Sequence, residues 1–221
     1  MSEWEMSERE ISAAAPGFLV PDWPAPPGVR AAFTTRIGGA SHGTWATFNL
    51  GERVGDDPAA VRANHRRLAD LLALPGQPQW LLQVHGAAAV AAVGDGLVRT
   101  GDSTWTRGAG VVCAVQSADC LPILLCDRDG TCVAALHGGW RGLAAGIIPR
   151  TIDALALPSG RWLAWLGPAI CGSCYEVGEE VRAAFSTDPA MVRRGFRPAA
   201  RKGHWCADLA AIARAQLIAS G

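Results

Sequence analysis

Apolar residues run through the middle of this chain in short blocks separated by turn residues. Residues 79–84, 111–116, 121–126 and 132–136 each read as a strand bounded by Gly, Pro, Asp or Ser. Their near-continuous apolarity predicts strands covered on both faces. Asp127-Arg128-Asp129-Gly130 predicts a hairpin turn between the last two. Residues 29–35 predict an earlier strand that runs into a glycine- and serine-rich loop at 36–43, and residues 162–166 predict a later one.

Helical periodicity is clearest after Asp57-Pro58, an Asp cap with proline at the first helical position. The helix is expected to run to about Leu74, where Pro75-Gly76 stops it. Val61, Leu68, Leu71 and Leu72 would form its buried face, with Arg62, Arg66 and Arg67 outside. Residues 143–155, 179–185 and 208–219 carry further helical patterning. No internal repeat or linker interrupts this order. Residues 1–28 read as a loose leader followed by a proline-rich approach, and 29–221 as a single α/β domain.

Composition narrows the class. Hydrophobic residues make up 49% of the 221 residues and charged ones 18%, which favours a compact core. Lys plus Arg and Asp plus Glu balance at 20 each, so an extended nucleic-acid or acidic-membrane surface is not expected. No apolar run approaches the length of a membrane span, and the first ten residues are polar, so the expected compartment is the cytoplasm. The seven cysteines are scattered, mostly in apolar runs, and read as reduced core thiols. Cys171-Gly172-Ser173-Cys174 has CxxC spacing but no second pair, and two ordinary loop thiols are expected there.

Three segments carry the candidate chemistry: Gln83-Val84-His85-Gly86, Ala118-Asp119-Cys120-Leu121-Pro122 and Leu136-His137-Gly138-Gly139-Trp140-Arg141-Gly142. Each puts one metal-binding side chain where an apolar run meets a small-residue turn. Taken singly, His85 is as consistent with a hydrogen-bonded turn residue, and Cys120 with a buried thiol. The gaps of 35 and 17 residues match no compact zinc-finger spacing. Together, two imidazoles and a thiolate would suit zinc or copper and leave a fourth position open. Gly138 and Gly139 would let substrate or backbone approach His137. Asp119 could accept a ring N–H from a ligating histidine or simply cap its turn. Arg36 and Arg141 flank glycine-rich turns and could bind an anion or stand solvated.

In order along the chain, Phe33-Thr34-Thr35-Arg36-Ile37-Gly38-Gly39-Ala40-Ser41 and Phe48-Asn49-Leu50-Gly51 precede these three segments. Gly167-Pro168-Ala169-Ile170, Tyr175-Glu176-Val177-Gly178 and Trp205 to Leu209 follow them. This series resembles the YfiH family, also labelled multicopper polyphenol oxidase or laccase-like, and purine nucleoside phosphorylase. The resemblance implies a layered α/β sandwich with mixed sheets, related distantly to a deamidating toxin with a Cys–His pair. It implies a zinc site at His85, Cys120 and His137, with Arg36 lining the nucleoside or phosphate pocket. It also implies purine nucleoside substrates: phosphorolysis of adenosine, inosine, guanosine or methylthioadenosine, and hydrolytic deamination of adenosine.

The family motif around the third ligand usually reads His-Ala-Gly-Trp-Arg-Gly, and Gly138 stands here in place of the alanine. The family pattern also continues into another strand and a Ser-x-Arg-Arg motif, whereas this sequence ends at Gly221, so a domain shortened at its C-terminus is expected. Three other functions compete. A copper-dependent polyphenol oxidase would need more histidines than the five present, His42, His65, His85, His137 and His204. A metal-free hydrolase or deamidase would use Cys120 as nucleophile, His85 or His137 as base and Asp119 to orient it. A binding protein would keep the site only for stability. Nothing in the sequence sets the oligomeric state.

Overall fold

The computed structural model describes residues 17–156 and 158–221, so the proposed leader at 1–16 lies outside the described residues. The chain divides into two compact units, one of residues up to Val20 with Ala32–Arg67, the other of Pro21–Ala31 with Leu68–Gly221.

In the first unit, β1 (Phe18–Leu19) pairs antiparallel with β2 (Phe33–Thr34), far shorter than the strand expected over 29–35. The glycine-rich loop that follows is built around Asn64, a fully buried residue of α1 (Pro58–Leu72). Its side-chain oxygen accepts from the Ala40 amide at 2.7 Å. Its nitrogen donates to Ser41 Oγ, the Thr47 carbonyl and the Asn49 carbonyl at 2.9, 3.3 and 2.8 Å. A Cβ at Gly39 would stand 2.3 Å from the Thr47 carbonyl oxygen and 2.5 Å from Asn64 Oδ1, so only glycine permits this wrapping.

Helix α1 starts as expected, with Asp57 Oδ1 accepting from the Ala59 amide at 2.8 Å. It ends where Ala73 turns to φ 44°, just ahead of Pro75. Val61 and Leu68 are buried and the three arginines are exposed. Leu71, at the edge of that stripe in the last turn, is instead exposed.

The second unit begins with short strands, β3 (Pro78–Gln79), β4 (Leu81–Leu82), β5 (Ala89–Ala91), β6 (Arg99–Thr100), β7 (Ser103–Thr106) and β8 (Val112–Cys113). The long hairpin follows, β9 (Leu121–Asp127) and β10 (Val133–Gly138). Next come α2 (Trp140–Ala144), α3 (Ile147–Leu155), β11 (Trp162–Leu166), β12 (Glu176–Gly178), α4 (Glu179–Ala183), α5 (Pro189–Gly195), β13 (Phe196–Pro198), β14 (His204–Ala207) and α6 (Leu209–Ala219). The main sheet has the order β11-β9-β10-β7-β5, antiparallel except for the parallel β5–β7 pair. A second antiparallel sheet runs β12-β14-β13. The expected mixed α/β class is therefore what the chain adopts.

Almost every residue of β9 is buried, as its unbroken apolarity predicts. Leu121, Ile123 and Leu125 pack with Leu136 of β10, Ile147, Ile148 and Ile152 of α3, and Ile212 of α6. At the hairpin turn Asp127 accepts from the Thr131 amide, the Thr131 hydroxyl and the Cys132 amide at 2.6, 2.7 and 2.9 Å. The single helix expected over 143–155 is two. It starts earlier, at Trp140, and is interrupted at Gly146, whose φ of 80° an α-helix does not admit. Among the described residues no helix is long and apolar enough to cross a membrane.

Candidate metal centre

Antiparallel register explains how two of the three ligands meet. His137 pairs with Pro122 and Gly138 with Leu121, so the residue just before β9, Cys120, lies at the same sheet end as His137. β7 lies on the other side of β10, with Ser103 opposite Leu136. That places Asp102 beside His137, whose amide donates to the Asp102 carbonyl at 2.8 Å. His85 arrives on the turn after β4. Gln83 ties that turn to the approach to Cys120, donating to the Gln116 carbonyl at 2.8 Å and accepting from the Gln116 amide at 2.7 Å.

The candidate ligand atoms of His85, Cys120 and His137 all lie within 4.8 Å of one another. The two imidazoles meet edge to face, with ring centroids 4.7 Å apart. His137 is buried, Cys120 half-buried and His85 exposed, so the group opens to solvent on one side. Gly139 forms its floor. A Cβ there would lie 3.1 Å from His85 Cδ2, 3.2 Å from Cys120 Sγ and 3.7 Å from His137 Cε1. Two imidazoles and a thiol with their donor atoms this close suit a metal with bonds of roughly 2.0–2.3 Å, after small side-chain adjustments. Gly142 is needed for a different reason, since its Cβ would meet the Gly86 carbonyl oxygen at 2.8 Å.

The carboxylate on the His137 ring is Asp102, not Asp119. Asp102, fully buried, accepts from His137 Nδ1 at 3.0 Å and from the amides of Val84, His85 and Gly86 at 3.1, 2.8 and 2.7 Å. His85 adopts φ 59°, which swings successive amides toward that carboxylate. Asp119 is exposed, and its carbonyl accepts from the Ile170 amide at 2.9 Å.

Burial pushes the His137 pKa down and the Asp102 hydrogen bond offsets this only in part, which favours the neutral ring a metal requires. Burial pushes the Cys120 thiol up, and the charges of Asp119 and Asp102 add to the rise. The metal-free thiol is thus a poor nucleophile, and binding a cation would release its proton. Burial also raises Tyr175, which feels both Cys120 and Arg141 and so borders the group.

Arg141 is exposed, its guanidinium 4.4 Å over the Trp140 ring. Arg36 belongs to the first unit, where its Nε and Nη2 donate to the Ala46 carbonyl at 2.8 and 2.5 Å. Cys171 and Cys174, expected as free thiols, are joined in a disulfide across a turn with Cα atoms 5.3 Å apart. Sequence reasoning missed Asp102, whose partners lie up to 35 residues away, and Tyr175. Asp102 stands just before the Ser-Thr-Trp-Thr strand β7, which gives it no distinctive local signal.

Fold and site together define an α/β protein with a His–Cys–His group that could hold a metal ion. The family described as "Multi-copper polyphenol oxidoreductase laccase" matches residues 30–221, and the chain belongs to that family. It is 49% identical over 204 residues to purine nucleoside phosphorylase PA4543 of Pseudomonas aeruginosa, covering 92% of this chain and 83% of that one. To purine nucleoside phosphorylase YfiH of Escherichia coli it is 43% identical over the same shares. Among solved structures, Neisseria meningitidis protein NMB0706 superposes with a TM-score of 0.86 at 41% identity, covering 92% of this chain and 84% of that one. YlmD from Geobacillus stearothermophilus gives 0.87 at 31%, over 96% and 84%.

Proposed function

We propose that this chain is a metal-dependent purine nucleoside phosphorylase that also deaminates adenosine. The observation that carries the reading is the convergence of His85, Cys120 and His137, donor atoms within 4.8 Å of one another, over Gly139. Relatives named purine nucleoside phosphorylase support the substrate class. Zinc is the preferred ion, since a mixed imidazole–thiolate set with an open position suits it. When bound, it would supply Lewis-acid polarisation of an oxygen ligand.

In phosphorolysis, phosphate attacks ribose C1′ as the bond to the purine nitrogen breaks, giving ribose 1-phosphate and the free base. Arg141 would position the phosphate. In deamination, water adds at C6 of adenine and ammonia leaves, giving inosine. Asp119, exposed beside Cys120, would move the proton in either reaction. The cytoplasm is the proposed compartment; five cysteines are free thiols, set against the one Cys171–Cys174 disulfide.

The copper-oxidase reading rests on the family description alone. The metal-free hydrolase reading is disfavoured because the Cys120 thiol is raised, not lowered. Product analysis tests the proposal. Purified protein supplied with adenosine should yield adenine and ribose 1-phosphate when phosphate is present, with inosine as the deamination product. Cys120→Ala should abolish both. Turnover that survives this change, or products confined to oxidised phenols, would overturn it.

A further inference from the structure

Four N–H groups converge on one buried carboxylate. Oδ1 of Asp102 takes the His85 amide at 2.8 Å and His137 Nδ1 at 3.0 Å. Oδ2 takes the amides of Val84 and Gly86 at 3.1 and 2.7 Å. An ionised carboxylate only accepts, so the neutral His137 ring must carry its proton on Nδ1, leaving the Nε2 lone pair free. The same carboxylate gathers three successive amides of the His85 turn, and that turn carries the other imidazole to within 4.7 Å of the first.

We propose that Asp102 is the positioning residue of the metal centre. It locks His137 in the Nδ1–H tautomer and, in the same contact, pins the His85 turn so that both rings face Cys120. The inference rests on the metal-binding reading for its consequence and on the hydrogen-bond pattern for its substance. An amide cannot replace the carboxylate. Whichever way an Asn side chain is turned, its NH₂ faces either the Val84 and Gly86 amides or the His85 amide and the His137 ring. Donor would then meet donor. Loss of such an outer partner weakens metal binding by roughly 10- to 100-fold.

The test joins two measurements. Long-range ¹⁵N–¹H spectra of the metal-free wild-type protein report the His137 tautomer without any variant or metal. Titration with Co²⁺, followed by its thiolate charge-transfer band, reports the affinity of the wild type, Asp102→Asn and Asp127→Asn. The last removes a carboxylate that accepts three hydrogen bonds at the hairpin turn and controls for general destabilisation. The expected result is an Nδ1–H His137 in the wild type, mixed tautomers in Asp102→Asn, and a roughly 10- to 100-fold fall in Co²⁺ affinity there. Asp127→Asn should bind as the wild type does. An Nε2–H His137 in the wild type overturns the proposal, as does an Asp102→Asn that binds Co²⁺ as tightly as the control. A wild type with the Nδ1–H tautomer and no thiolate band would sink the metal reading while supporting the lock by Asp102. If Asp102→Asn does not fold, the wild-type tautomer decides.

Discussion

Gly139 packs tightly against Cys120: a Cβ built on it would stand 3.2 Å from the sulfur. Its backbone, at φ −69° and ψ 156°, is open to any residue, so the demand for glycine comes from the site and not from the turn. Gly139→Ala is therefore expected to leave the fold intact while pushing Cys120 and His85 apart. Metal content per chain and kcat/KM should both fall, the latter by less than the roughly 100-fold that a misplacement of about 1 Å can cost. A variant with full metal content and unaltered turnover would show that this close packing is not part of the site.

Asn64 holds the Arg36 loop by hydrogen bonds to the backbone of Ala40, Thr47 and Asn49 and to Ser41 Oγ. Because the amide is fully buried, Asn64→Ala would strip the Ala40 amide and the Asn49 carbonyl of this partner, while Thr47 keeps the Ser41 amide and Ser41 Oγ keeps Asp56. The expected cost is on the order of 2–3 kcal/mol of unfolding free energy, read by urea denaturation. Asn64→Asp should be nearly as damaging, since its acceptor-only carboxylate would face the carbonyls of Thr47 and Asn49.

Asp127 supplies a pH signature. Burial by itself would raise its pKa, but hydrogen bonds from Thr131 and Cys132 outweigh this and hold it below the ordinary value. A depressed folded-state pKa contributes stability that is complete above the unfolded value of about 4. That contribution is lost as pH falls through the lower folded value. Asp127→Asn should lose about 1–3 kcal/mol near neutral pH and show a shallower loss of stability below pH of about 4. Parallel acid limbs for variant and wild type would refute this.

Thiol reactivity should divide the cysteines. Burial pushes Cys113 up to about 12, with Thr104 offsetting it slightly. Burial, with Asp127 and Cys132, pushes Cys126 up to about 11. Neither carries appreciable thiolate at pH of about 8, so iodoacetamide should leave both unmodified in the native protein and alkylate both once it is unfolded. Peptide mass spectrometry reads the outcome, and native labelling at either position would contradict the packing around β8 and β9.

Much of this protein was legible in its order of residues. Asp57-Pro58 announces α1, the apolar runs announce β9 and β10, and Asp127 with Gly130 announces the turn between them. These signals are local, because caps, proline and turn chemistry act within a few residues. Asp188-Pro189 carries the same start signal for the seven-residue α5. The motifs also singled out His85, Cys120 and His137, yet each alone was an ordinary strand end. Only the pairing of β10 with both β9 and β7 brought Cys120 and His137 to one sheet end and set Asp102 beside His137, and His85 joins them through its turn's amides on Asp102. The choice of Asp102 over Asp119 depends on strand register and on the left-handed turn at His85. Register is a property of the assembled sheet, decided by which faces are buried together, and no short stretch of sequence contains it.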